Sequence, residues 1–159
     1  MNHMVEIDDT DLRLLDVLKH NARLSTRQLA EKTKIPMATV NRRLKKMVET
    51  GVIKEFSAVL DYEKLGLKTL AYVFIRSIPG ADQSDVLEAA SKLPEVEDIA
   101  AIAGQFDIIL KVRVKDTDAL SEFLFKHVRN FPSVAATETF IGLNLKPYME
   151  MRKKSKRPS

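Results

Sequence analysis

The apolar residues of this 159-residue chain change their period part-way along, and that change bounds what the chain can fold into. Up to about Thr50 they recur every three or four positions, the spacing that gathers them on one face of a helix. From Thr69 they alternate in "TLAYVFIRS", the spacing of a strand. Charge divides the same way. Residues 1–60 carry 11 basic and 8 acidic side chains, a net +3; residues 61–145 carry 9 and 13, a net −4; residues 146–159 carry 6 and 1, a net +5. A basic front, an acidic middle and a basic end predict two domains with different partners.

The front holds three helical patterns. In "IDDTDLRLLDVLKHNARLS", Leu14, Leu15 and Leu18 share a face with Val17 beside them, and Asp8 or Asp9 can cap the start. In "STRQLAEKT", Ser25 and Gln28 have capping-box spacing, with Leu29 and Ala30 on the buried side. Pro36 disfavours an α conformation at Ile35 and breaks the chain; a third helix then runs to about Thr50, where Gly51 can end it. On that helix Met37, Val40, Leu44, Met47 and Val48 gather on one side. Ala38, Thr39, Arg42, Lys45 and Lys46 lie on the other, with Asn41 and Arg43 on the flanks. A short break before a basic helix whose leading residues are small and polar is a helix-turn-helix pattern. Small leading residues permit close approach to the major groove, while Arg and Lys reach phosphates or guanine edges. Ala38, Thr39 and Arg42 therefore suit base reading; Arg43, Lys45, Lys46 and the following Lys54 suit phosphate contact. Double-stranded DNA is expected rather than RNA, since no aromatic stacking platform is present.

After "DYEKLGL", read as a linker with Gly66 at a turn, the order is strand, helix, strand, strand, helix, strand: "TLAYVFIRS", "QSDVLEAASKL", "VEDIAAIA", "DIILKVRV", "TDALSEFLFKHVRN" and "VAATETFIGLNL". That order is ferredoxin-like. Such a sheet carries helices on one face, and both faces of the first strand are apolar, so a second copy of the chain is the simplest cover for the other. "GQFD", Gly104 to Asp107, admits two readings. It can be a plain turn, Gly104 supplying an unusual backbone angle and Asp107 beginning a strand. It can also offer what an α-amino acid requires, backbone N–H groups for the carboxylate and oxygens for the ammonium.

From Ile7 to Leu145 the chain resembles the Lrp/AsnC family of feast/famine transcription regulators. The matching stretches are "IDDTDLRLLDVLKHNARLS", "QLAEKTKIPMATVNRRLKKMVETGVIKEFSAVLD", "KLG", "LPEVEDIAAIAGQFDIILKVRVKD" and "FPSVAATETFIGL". The resemblance implies an α+β chain: a winged helix-turn-helix domain over residues 1–60, with "EFSAVL" as its short strand, a linker over 61–67, and a ferredoxin-like effector-binding and oligomerisation domain over 68–147. Residues 148–159, with "MRKKSKRPS", are expected to be a solvated basic tail. The resemblance also implies homodimers that assemble further, often into octamers, and regulation by amino acids bound at a subunit interface. Carried over by position, the effector site comprises Ala103, Gly104, Gln105, Phe106 and Asp107, with Thr137, Glu138 and Thr139 of a neighbouring subunit. The chain departs from the family's pattern at Ala103, where a hydroxyl residue is usual, at Gln105, where an acid or Asn is frequent, and at Pro36 and Met37, where Ser and Pro are common. Losing the hydroxyl removes a hydrogen-bond donor and implies a pocket retuned to another ligand or out of use.

The chain has no Cys, which excludes thiolate metal sites and thiol catalysis. His3, His20 and His127 are scattered, and no nucleotide-binding, zinc-protease or nucleophile-elbow motif occurs. The sirohaem decarboxylases resemble the same family in both domains, but they carry a His-Asn-Tyr run where this chain has "EDIAAIA". Neither an enzyme nor a cofactor is expected beyond a small-molecule effector. No apolar run reaches a membrane span and the N-terminus has no signal-peptide core, so a cytoplasmic location is expected. The competing reading is an effector-independent, architectural DNA-binding protein.

Overall fold

The computed structural model describes residues 5–143, so the expected basic tail, 148–159, lies outside the described residues. The chain forms two compact units that divide between Val59 and Leu60.

The first unit contains α1 (Asp9–His20), α2 (Thr26–Thr33) and α3 (Met37–Glu49). Local chemistry sets each start. Asp8 caps α1 through a reciprocal capping box with Asp11, and Ser25 caps α2 through one with Gln28. Pro36 precedes α3 without a side-chain cap; its carbonyl accepts the Val40 N–H at 3.0 Å. Lys34 ends α2 with φ 58°, a left-handed conformation that reverses the chain before α3. Leu14, Leu18, Leu29, Ile35, Val40 and Met47 form the core, with Leu44 packed against it. Met37 and Val48, expected on the buried side of α3, are exposed: they stand at its first residue and in its last turn, and burial is confined to Val40 and Met47 between them. Residues 54–60, which include "EFSAVL", form neither helix nor strand, and no described segment pairs with them. A lone strand has no partner for its ladder hydrogen bonds, so the expected wing strand is absent from the isolated chain.

The second unit contains β1 (Thr69–Ser77), α4 (Ser84–Ser91), β2 (Val96–Ala101), β3 (Ile108–Val114), α5 (Thr117–Lys126), a 3₁₀ turn (Val128–Asn130) and β4 (Val134–Ile141). The sheet order is β2-β3-β1-β4 and each neighbouring pair is antiparallel, as the ferredoxin-like order requires. Ala71, Val73 and Ile75 of β1 pack with Ile108, Leu110 and Val112 of β3 against Val86 and Ala90 of α4 and Leu120 and Phe123 of α5. Tyr72 and Phe74 point to the face that carries no helix. The expected linker is instead a structured turn of this unit: the Tyr62 carbonyl accepts the N–H groups of Leu65 and Leu67, and the Tyr62 ring lies 4.3 Å beneath the Arg113 guanidinium.

Candidate DNA-reading helix and effector loop

At about 100° per residue, Thr39, Arg42 and Lys46 fall within roughly 60° of arc on α3. Arg42 and Lys46 are exposed, and among the described residues neither enters an ion pair. Ala38, Asn41, Lys45 and Lys54 are exposed as well, Thr39 partly so. Lys45 makes a 3.7 Å contact with Glu49, both exposed, which salt and water screen. Arg42 and Lys46 line a cleft of about 340 Å³ with Glu6, Asp8 and Arg43.

Arg43 has a different setting from its neighbours. One guanidinium nitrogen, Nη1, lies 2.6 Å from Asp8 Oδ2 and 3.0 Å from Asp11 Oδ2. Its side chain is 22% exposed, and that of Asp11 is 1% exposed. The Asp11 N–H and the Arg43 guanidinium hold the Asp8 carboxyl below the usual aspartate value, and the bond to Asp8 raises Arg43 in turn. Sequence reasoning placed Arg43 among the phosphate contacts and missed Asp11 as more than a helix-start acid. The signal was there: Arg43 sits at the edge of the apolar stripe, next to Val40 and Met47.

In the second unit, residues 102–107 join β2 to β3. The Asp107 carbonyl accepts the Ile102 N–H at 2.8 Å, and the Asp107 N–H donates to the Ile75 carbonyl at 2.9 Å. The Asp107 carboxylate also accepts the Ser77 N–H at 2.7 Å. Ala103, Gly104 and Gln105 are exposed at the tip, where Gly104 has φ 146° and open space around it. Few residues other than glycine adopt that angle without strain. Phe106 folds back, its ring 5.5 Å from Phe74, which meets Phe140 at 5.4 Å edge-on. The structure therefore brings Ala103 to Asp107 together as one loop. It divides the other three. Thr137 pairs with Ile75 and Thr139 with Val73, so both point to the helix side, whereas Glu138 pairs with Phe74 on the open face.

The open face is built of two parts. Around Phe74 it is aromatic. Farther along, Glu97 receives hydrogen bonds from Arg113 Nε at 2.8 Å and lies 2.9 Å from Lys111 Nζ. Burial would push the Glu97 carboxyl up; the bonds from Arg113 and Lys111 outweigh it and hold the group below the usual glutamate value. Among the described residues no group of three or more His, Cys, Asp or Glu is arranged to hold a metal, and no helix is long and apolar enough to cross a membrane.

Residues 7–54 match the winged helix-turn-helix DNA-binding family model, and residues 70–151 match that of the Lrp/AsnC ligand binding domain. The chain belongs to the Lrp/AsnC family. An HTH-type transcriptional regulator of Pyrococcus furiosus is 37% identical over 138 residues, 86% of this chain and 92% of that one. The regulator FL11 of Pyrococcus horikoshii is 30% identical over 139 residues, 87% and 91% of the two chains. Among solved structures, LrpC of B. subtilis superposes with a TM-score of 0.79 at 26% identity, covering 91% of this chain and 99% of that one. A Neisseria meningitidis regulator in complex with L-Met superposes with a TM-score of 0.83 at 26% identity, covering 89% and 94%. This Lrp/AsnC chain is thus a DNA-binding transcription regulator and not an enzyme.

Proposed function

We propose that the protein reads a specific duplex sequence through α3, assembles as dimers and higher oligomers in the cytoplasm, and is modulated by a small amino acid bound at a subunit interface. The observation that carries the DNA-reading half is the edge of α3 formed by Thr39, Arg42 and Lys46, whose two cations are exposed and enter no ion pair among the described residues. The major groove admits a helix whose side chains reach base edges and phosphates from such an edge. The effector half is supported by the exposed glycine turn at Gly104 and by the L-Met complex of the N. meningitidis regulator. Assembly is supported by the aromatic open face of the sheet, which a second copy would cover.

Fluorescence anisotropy on a duplex from upstream of the protein's own gene, with competitor DNA at two salt concentrations, tests the first half. Arg42→Ala is expected to weaken specific binding by about 1–3 kcal/mol and to relax preference at one base position. Lys46→Ala should weaken all duplexes alike and make the salt dependence shallower by about 0.9 in log–log slope. Parent-like behaviour of both variants would sink the assignment of this edge. Calorimetry with the common amino acids tests the second half: absence of heat with every one leaves an architectural, effector-independent DNA-binding protein. A ligand at about 100 times its Kd should add about 2.7 kcal/mol to stability.

A further inference from the structure

We infer that Arg43 does not touch DNA but, with Asp8 and Asp11, sets the position of the recognition helix. The inference rests on the DNA-reading role of α3 and assigns Arg43 and Asp11 to positioning.

Three facts carry it. First, the guanidinium is engaged at one nitrogen, Nη1, which meets two carboxylates, at 2.6 and 3.0 Å. Two acidic partners compensate its charge and leave little attraction for a phosphate. Second, those carboxylates are themselves fixed. Asp8 Oδ1 accepts the Asp11 N–H at 3.0 Å and Asp11 Oδ2 accepts the Asp8 N–H at 3.3 Å, so the bridge ends on the capping box that starts α1. Third, among the described residues no other ion pair joins α3 to another element. Arg43 Nε and Asp11 Oδ1 are shielded from solvent and have no hydrogen-bond partner, so neither group has a substitute if the bridge is cut. A buried charge stripped of its partner forces its surroundings to move. Arg42 and Lys46 flank Arg43 in the same cleft, and any rotation of α3 about its axis carries both away from their targets.

A buried carboxylate cannot reach DNA, so Asp11 separates positioning from contact. The full-length parent, Asp11→Asn, Arg43→Gln and the double variant are titrated with two probes: a duplex enriched by the parent from a random pool, and a shuffled duplex of equal length. Failure of the DNA-reading role itself would show in the parent, which would then enrich no duplex. Each single variant is expected to raise Kd for the enriched duplex about ten-fold, the weight of one good base contact. Affinity for the shuffled duplex and the salt slope should stay at parent values, since no phosphate contact is lost. The double variant should be within about two-fold of the poorer single variant, as members of one network are not additive. The inference is overturned if Asp11→Asn matches the parent while Arg43→Gln weakens both duplexes and lowers the slope by about 0.9. Should far-UV circular dichroism show that Asp11→Asn has lost its helices, Asp8→Asn decides. It keeps a capping side chain at the more exposed end of the bridge, so it is expected to lose discrimination in the same direction, and parent-like behaviour overturns the inference.

Discussion

Lys34 occupies the left-handed region, with φ 58°, at the one residue that turns the chain from α2 towards α3. Glycine holds that conformation without a Cβ penalty and is the usual occupant of such a helix end. Lys34→Gly is therefore expected to stabilise the first unit by about 0.5–1 kcal/mol, read as a higher midpoint in urea denaturation. Glu97 makes a prediction of pH dependence. Its carboxyl is held below the ordinary value of 4.5, so its contribution is present above that pH and is lost as pH falls through the lower, folded-state value. Its side chain is only 14% exposed, so screening by solvent is modest. Glu97→Gln should cost about 1.5–3 kcal/mol at neutral pH, with the gap between parent and variant melting curves closing below pH 4.5. A gap that persists unchanged into acid would mean that the two cations do not hold Glu97 as described.

Elements follow from these residues, and the Asp107 loop shows how. Its carboxylate ties the end of β1 to the start of β3 through the Ser77 N–H. A hydrogen bond to a charged group contributes about 1.5–3 kcal/mol. Asp107→Ala should therefore speed amide exchange at Ser77 by ten-fold or more, with α1 to α3 unaffected; exchange at the parent rate would refute the tie. The Ser25 cap, the α1 cap to within one residue (Asp8 or Asp9), the proline break, the basic edge of α3 and all four strands of the sheet were legible in sequence, because each depends on residues a few positions apart. What escaped notice depends on distant pairs. Asp11 and Arg43 are 32 residues apart and their bridge leaves no periodic trace. Tyr62 looked like part of a spacer because its partner, Arg113, is on another element. "EFSAVL" has the residue types of a strand, yet pairing needs a neighbour that local pattern does not supply. Thr137, Glu138 and Thr139 read as one cluster, although strand alternation sends the middle residue to the opposite face.

For the molecule as a whole, the uncovered side of the sheet is the dominant feature. Phe140, 54% exposed, stands edge-on to Phe74 in an aromatic patch. If a second copy covers that patch, Phe140→Arg places a charge where water must be expelled, and sedimentation velocity should show smaller species with unchanged circular dichroism. An unchanged sedimentation coefficient would move the subunit contact elsewhere. The two hydrophobic cores have their own consequence. One is built from Leu14, Leu18, Leu29, Ile35, Val40 and Met47, the other from residues of β1, β3, α4 and α5, and the two share no residue. A change in the buried side of α3 therefore alters no residue of the sheet's core. In evolutionary terms the seam near residue 60 suits recombination: a crossover there leaves the residues of each core together on one side of the join.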